Sequence, residues 1–173
     1  MAQRKHLERL LRYCAAIFAL GVLYILIDFA IDLRPASLHS SYRFTLGDLP
    51  SDQVKILRQD NLSILVIRRS AETIAQLEQP AVELQDPASL RSHQPGFANN
   101  TLRSEHPEFF VSYAIGTDLG CPITVVGNRL TESCSNAPYD FAGRALLGDN
   151  AFQNLAIPEY NFSDDFSILT IIP

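Results

Sequence analysis

Residues 116–144 read GTDLGCPITVVGNRLTESCSNAPYDFAGR. A short β-branched run, Thr124–Val126, sits between two segments rich in Gly, Asn, Ser and Asp. That is the pattern of a strand bounded by loops. Each flanking loop carries one cysteine, Cys121 and Cys134. In an oxidising compartment the two could close a ring of about 14 residues, and a bridge of that size stabilises by roughly 3 kcal/mol in the chain-entropy picture. A reactive or metal-binding thiol pair is the competing reading of the same residues. The third cysteine, Cys14, lies in an apolar run and reads as a small filler.

Working outward, further strand candidates are Tyr42–Leu46, Val54–Leu57, Ser63–Ile67, Phe109–Ala114, Ile157–Phe162 and Phe166–Ile171. All are short, rich in Val, Ile, Phe and Tyr, and separated by Gly, Pro, Asn or Asp, so the chain beyond residue 42 is expected to be mainly β. Ser70 followed by AETIAQLE predicts one short helix, with the Ser hydroxyl capping the first free backbone N–H groups. Residues 78–107 form a long insertion. A loop of that length in a compact domain is either functional or packed back on the body.

Toward the N-terminus, Tyr13–Ile31 is an apolar run interrupted only by Asp28. As a helix it spans roughly 28 Å, close to the hydrocarbon thickness of a bilayer. It is longer than a secretory h-region and lacks a small-residue cleavage site, so an uncleaved anchor over 13–33 is expected. Residues 1–12 hold Arg4, Lys5, Arg9 and Arg12 against Glu8, which places the N-terminus on the cytoplasmic side and the rest of the chain outside. Asp28 and Asp32 lie four apart on one helix face. Interfacial solvation explains them, and contact with a neighbouring helix is the sharper reading. Residues 34–42, RPASLHSSY, read as a short neck before a domain spanning 43–173.

The chain has 173 residues, 47% hydrophobic, with a formal net charge of -5. Residues 34–173 hold 16 acidic against 10 basic residues. Nucleic acid is therefore an unexpected partner, since phosphate binding calls for a basic surface. No Walker, GxGxxG, GxSxG or HExxH pattern occurs. His6 and His39 fall in the flank and the neck. His93 and His106 fall in the insertion and read as solvated surface residues. Asp164-Asp165 reads as a turn pair. The N-x-S/T matches at Asn61, Asn99 and Asn161 are no more than chance supplies.

Taken in order, the parts are a basic flank, one anchor, a Ser/Pro neck, a small β domain and two loops with one Cys each. This order resembles the Rieske iron–sulfur subunit of cytochrome bc-type quinol oxidoreductases. GDLPSDQVKI (47–56), LVIRRSAETI (65–74), QPGFANNTLRSEHPEFFV (94–111) and YDFAGRALLGDNAFQNLAIPEYNF (139–162) carry the likeness along the chain. It implies a small antiparallel β-sandwich behind a single transmembrane helix. In the family the loops read C-T-H-L-G-C and C-P-C-H-G-S. The leading Cys and the His of each hold a two-iron cluster, and the remaining Cys pair is a disulfide. Here they read Gly116-Thr117-Asp118-Leu119-Gly120-Cys121 and Glu132-Ser133-Cys134-Ser135-Asn136-Ala137, making residues 116–138 a degenerate cluster region.

The resemblance thus puts Gly116, Asp118, Glu132 and Ser135 at the four ligand positions and keeps Cys121 and Cys134 for the bridge. Hard oxygens replace soft thiolate and imidazole, and no His lies between 107 and 173 to repair the set. The family's proline-rich third loop, G-x-P-A-P, is Gly148-Asp149-Asn150-Ala151-Phe152 here. Arg9 and Arg12 are separated, so the flank also lacks the adjacent Arg pair that routes cofactor-loaded proteins for export.

Together these imply a subunit without a 2Fe-2S cluster or catalytic residues. It would be anchored in a bacterial inner membrane with a periplasmic domain, and kept for contacts within a respiratory electron-transfer complex. The alternatives are a stand-alone periplasmic assembly or sensing module, or a redox or metal protein with a non-standard site. Asp118, Glu132 and Asp140 would supply hard oxygens for the metal, though loop-capping and solvation are the simpler roles for them. On this reading the disulfide is the main tie between the loops.

Overall fold

A single helix, α1 (Ala2–Asp32), runs unbroken from the basic flank through the apolar run. The computed structural model describes residues 2–32, 41–148 and 150–172, without the side chains of 2–5 and 30–32. Residues 34–40 of the neck, with Arg34 and His39, therefore lie outside the described residues. So do Asp149 of the third loop and the side chains of Arg4, Lys5 and Asp32. Residues 1–38 and 39–173 form two separate units.

In the first unit, His6–Phe29 is long and apolar enough to cross a membrane, and none of it is buried within the protein. Leu, Ile, Phe and Tyr project on every side rather than along one stripe. A helix of that kind needs an apolar surround, not one apolar neighbour.

The second unit is mainly β and antiparallel, as expected. It contains β1 (Tyr42–Thr45), β2 (Gln53–Gln59), β3 (Leu62–Arg68), β4 (Phe109–Tyr113), β5 (Ile123–Val126), β6 (Arg129–Glu132), β7 (Pro138–Tyr139), β8 (Glu159–Phe162) and β9 (Ile168–Ile172). They form three sheets of three strands, ordered β1-β9-β8, β2-β3-β4 and β5-β6-β7. β3 is central in its sheet, and Ile64 to Ile67 are fully buried, as a continuous apolar run covered on both faces should be. The first two sheets share one core. Phe109 on β4 stacks on Phe166 at 5.1 Å and lies 5.2 Å from Phe162 on β8.

The short helix α2 (Ala71–Glu78) starts where expected. The Ser70 hydroxyl accepts from the Thr73 N–H at 3.2 Å, and the Asp52 carboxylate accepts from the Ser70 N–H and the Thr73 hydroxyl. The insertion after α2 folds back on the body with almost no regular structure, apart from a 3₁₀ turn at Gly96–Ala98. Three fully buried arginines hold it. Arg103 donates to the carbonyls of Ala142, Gly143 and Leu155 and to Gln94. Arg69 reaches the carbonyls of Leu102 and Pro107 and the Ser104 hydroxyl. Arg144 reaches the carbonyls of Leu77 and Thr101. Burial pulls the Arg69 and Arg103 guanidinium groups down to about 10, still well above neutrality.

Three local expectations change. β6 and β7 are strands where loop was expected, because β6 pairs with β5 and so closes a hairpin across the Gly127-Asn128 turn. Ile157 is not in β8, since its N–H donates to His93 in the insertion. Phe166 is not in β9. It occupies a turn at a φ of 55° while its ring packs inward.

Candidate functional site

The two cysteine-bearing loops lie together at the open end of the β5–β6 hairpin, opposite its Gly127-Asn128 turn. Gly116 N–H donates to the Cys121 carbonyl at 2.8 Å and closes the first loop, with Gly120 at a φ of 75°. Ser133 N–H donates to the Pro122 carbonyl at 3.0 Å and joins the loops side by side. Cys121 and Cys134 form a disulfide across them, with a Cα separation of 5.9 Å. Asn136 turns the second loop at a φ of 58°, and the Ser135 hydroxyl accepts from the Ala137 N–H.

Of the loop-capping and solvation expected of Glu132, which ends β6, the structure shows the capping and not the solvation. Glu132 is fully buried, at 0% exposure. One carboxylate oxygen accepts from the Asp118 N–H at 3.0 Å. The other accepts from the Leu119 N–H at 2.9 Å and the Cys121 N–H at 2.7 Å. A buried carboxylate with three donors is a satisfied group, and removing it would orphan the donors. Gly116 lies against the same side chain, and a Cβ there would overlap the Glu132 carboxylate. The disulfide is therefore not the sole tie between the loops, because Glu132 makes a second one.

Tyr139 makes a third. Its hydroxyl accepts from the Thr117 N–H at 2.9 Å and meets the Thr117 hydroxyl at 3.0 Å. Burial raises the Tyr139 pKa, and the Thr117 hydrogen bonds oppose the rise. Thr117 also donates to the Gln153 carbonyl, and Phe152 packs edge-on against Tyr139 at 5.2 Å. The third loop thus reaches the first through Thr117 and Tyr139.

Behind the loops, Asp140 accepts from the Ala142 and Arg144 N–H groups and from Arg144 Nε at 2.7 Å. Gly143, at a φ of 65°, has Phe110 where a Cβ would go. The Y-D-x-x-G-R run is thus a turn that needs its Asp, Gly and Arg for structural reasons.

The three carboxylates weighed for a hard metal do not come together. Glu132 is taken up by backbone N–H groups and Asp140 by Arg144. Among the described residues no three His, Cys, Asp or Glu side chains are grouped to hold a metal. His106 is not simply solvated, since its ring meets Phe166 edge-on at 4.9 Å. The four positions that the resemblance assigns to ligands do not fit a two-iron cluster. Gly116 offers no donor, Asp118 and Ser135 offer hard oxygens, and Glu132 fills the space beside Gly116.

No protein-family model matches the chain. In sequence it is 26% identical over 167 residues to the ubiquinol-cytochrome c reductase iron-sulfur subunit of Allochromatium vinosum, covering 87% of this chain and 81% of that one. It is 32% identical over 127 residues to the mitochondrial cytochrome b-c1 complex subunit Rieske of Candida albicans, covering 72% of this chain and 55% of that one. A solved structure titled hyperthermophilic respiratory Complex III has a chain of similar fold. Its TM-score is 0.51 at 16% identity, with 90% of this chain and 92% of that chain covered. The antiparallel sheets, the single N-terminal helix and the two sequence relationships agree: over most of its length the chain is similar to the Rieske-type subunits of cytochrome bc1 complexes.

Proposed function

We propose that the chain is a cluster-free Rieske-type subunit that holds other subunits in place within a quinol–cytochrome c reductase or a related respiratory complex, without relaying electrons. The observation that carries this is the contact between Gly116 and Glu132 at two of the four assigned ligand positions: one lacks a donor, and the other fills the adjoining space with its own carboxylate. Docking surfaces are properties of the scaffold, so they can outlast a lost redox centre. The flanking charges support a cytoplasmic N-terminus, and the disulfide supports a periplasmic domain at a bacterial inner membrane.

The test is purification of the tagged chain from its native membranes under mild detergent. The expected result is co-purification with the b- and c-type cytochrome subunits at a fixed ratio, with no iron or acid-labile sulfide assignable to this chain. Isolation without membrane partners would overturn the subunit role and leave the stand-alone module.

A further inference from the structure

Resting on the reading above that 116 and 132 are former ligand positions, we propose that residues 118–121 form a backbone anion site. Glu132 occupies it as a built-in ligand, doing structurally what a bound group would otherwise do.

Three observations lead to one carboxylate. First, the N–H groups of Asp118, Leu119 and Cys121 all point to Glu132, one to one oxygen and two to the other. Successive backbone N–H groups converging on one point form an anion-binding concavity. Second, the donors belong to a loop at the surface, where Leu119 is 65% exposed, while the acceptor has no exposure at all. Water cannot substitute for it without entering the loop. Third, Gly116 leaves room for this side chain where any larger residue would collide with it. Gly116 and Glu132 are thus sterically matched, separately from the hydrogen bonds.

An amide site that holds a side-chain carboxylate should also accept a free one when the side chain is removed. Formate and acetate carry the same pair of oxygens, whereas chloride offers a single point charge.

The experiment uses the full chain in detergent micelles, comparing wild type with Glu132→Gln, Glu132→Ala and Gly116→Ala. Amide hydrogen exchange is read at Asp118, Leu119 and Cys121. In wild type these three amides should be protected despite their exposed loop. In Glu132→Gln, which keeps the size of the side chain, they should exchange roughly tenfold faster or more, with β3 amides unchanged. Glu132→Ala should melt at least about 5 °C lower. Formate or acetate should recover part of that loss, and chloride at equal ionic strength should recover less. Gly116→Ala should loosen the same three amides. Unprotected amides in wild type, or formate no better than chloride, would overturn the proposal. If Glu132→Ala does not fold, the Glu132→Gln exchange pattern decides alone. Iron found in the wild-type chain would remove the reading on which the proposal rests, whereas unprotected amides in an iron-free chain refute the anion site by itself.

Discussion

The insertion between α2 and β4 and the loop pair around the β5–β6 hairpin solve the same problem with opposite charges. Both are irregular backbone packed against a β body, and irregular backbone leaves polar groups that must find partners. In the insertion three such groups are the carbonyls of Thr101, Leu102 and Pro107. Buried cations gather them, Arg69 holding two and Arg144 the third, while Arg103 fastens the insertion to three carbonyls of the body and to Gln94. In the loops the unpaired groups are N–H, and one buried anion, Glu132, gathers three. The loops add a disulfide, while the insertion relies on hydrogen bonds and packing. One charged side chain at the centre of several backbone groups can thus order a segment that has little secondary structure, and its sign follows from which backbone groups are left over.

The largest effect should come from the cationic half. Arg103→Met removes the shared donor from three carbonyls and Gln94, and each buried group left unpaired costs about 1–3 kcal/mol. A loss of at least about 3 kcal/mol is expected in urea denaturation, with early proteolysis within 79–107. A variant that loses under about 1 kcal/mol would show that packing alone holds the insertion and would break the parallel.

The next effect tests how the loops divide their support. The double variant Cys121→Ser, Cys134→Ser should lose about 2–3 kcal/mol, the usual worth of a loop this short. The Asp118, Leu119 and Cys121 amides should stay protected, because Glu132 remains. Reduction of the wild-type bridge with no change in melting temperature would contradict the first part. Loss of amide protection on removing the bridge would make the carboxylate subordinate to it.

The smallest effect concerns an exposed counterpart. Asp165 accepts from the Ser163 and Ser167 hydroxyls and the Ser167 N–H in the β8–β9 turn, and these bonds hold its pKa at about 2. A carboxylate depressed in the folded state stabilises above its unfolded pKa of about 3.9, and that contribution is lost as pH falls through 2. An NMR titration should place Asp165 near 2 in wild type and closer to its ordinary value in Ser163→Ala. An unchanged titration in that variant would show that the hydroxyls do not hold the charge.

How much of this could be read in advance depended on how local the cause was. α2 was legible because its cap, Ser70, sits beside it, and β3 because its apolar run is continuous. The N-terminal helix was legible from one unbroken apolar stretch. β6 was not, since RLTE is short and half charged, and only pairing with β5 makes it a strand. The Phe166 ring was read as part of an apolar strand although its backbone is a turn. Glu132 was singled out as a replaced position, yet its buried role stayed hidden. Its partners lie 11 to 14 residues earlier in the chain, and a Glu beside a Ser-rich turn looks solvated until the hairpin closes. The roles of Arg69, Arg103 and Arg144 stayed hidden for the same reason, with their carbonyl acceptors 33 to 67 residues away.

The central claim is that this Rieske-type scaffold has a carboxylate where a cluster would need thiolate and imidazole. The most direct measurement is anaerobic reconstitution of the purified full chain with iron and sulfide, followed by reduction and low-temperature paramagnetic resonance. The account predicts a silent spectrum and no retained iron after desalting. A stable signal from a reduced two-iron cluster, retained in stoichiometric amount by the wild-type chain, would contradict it.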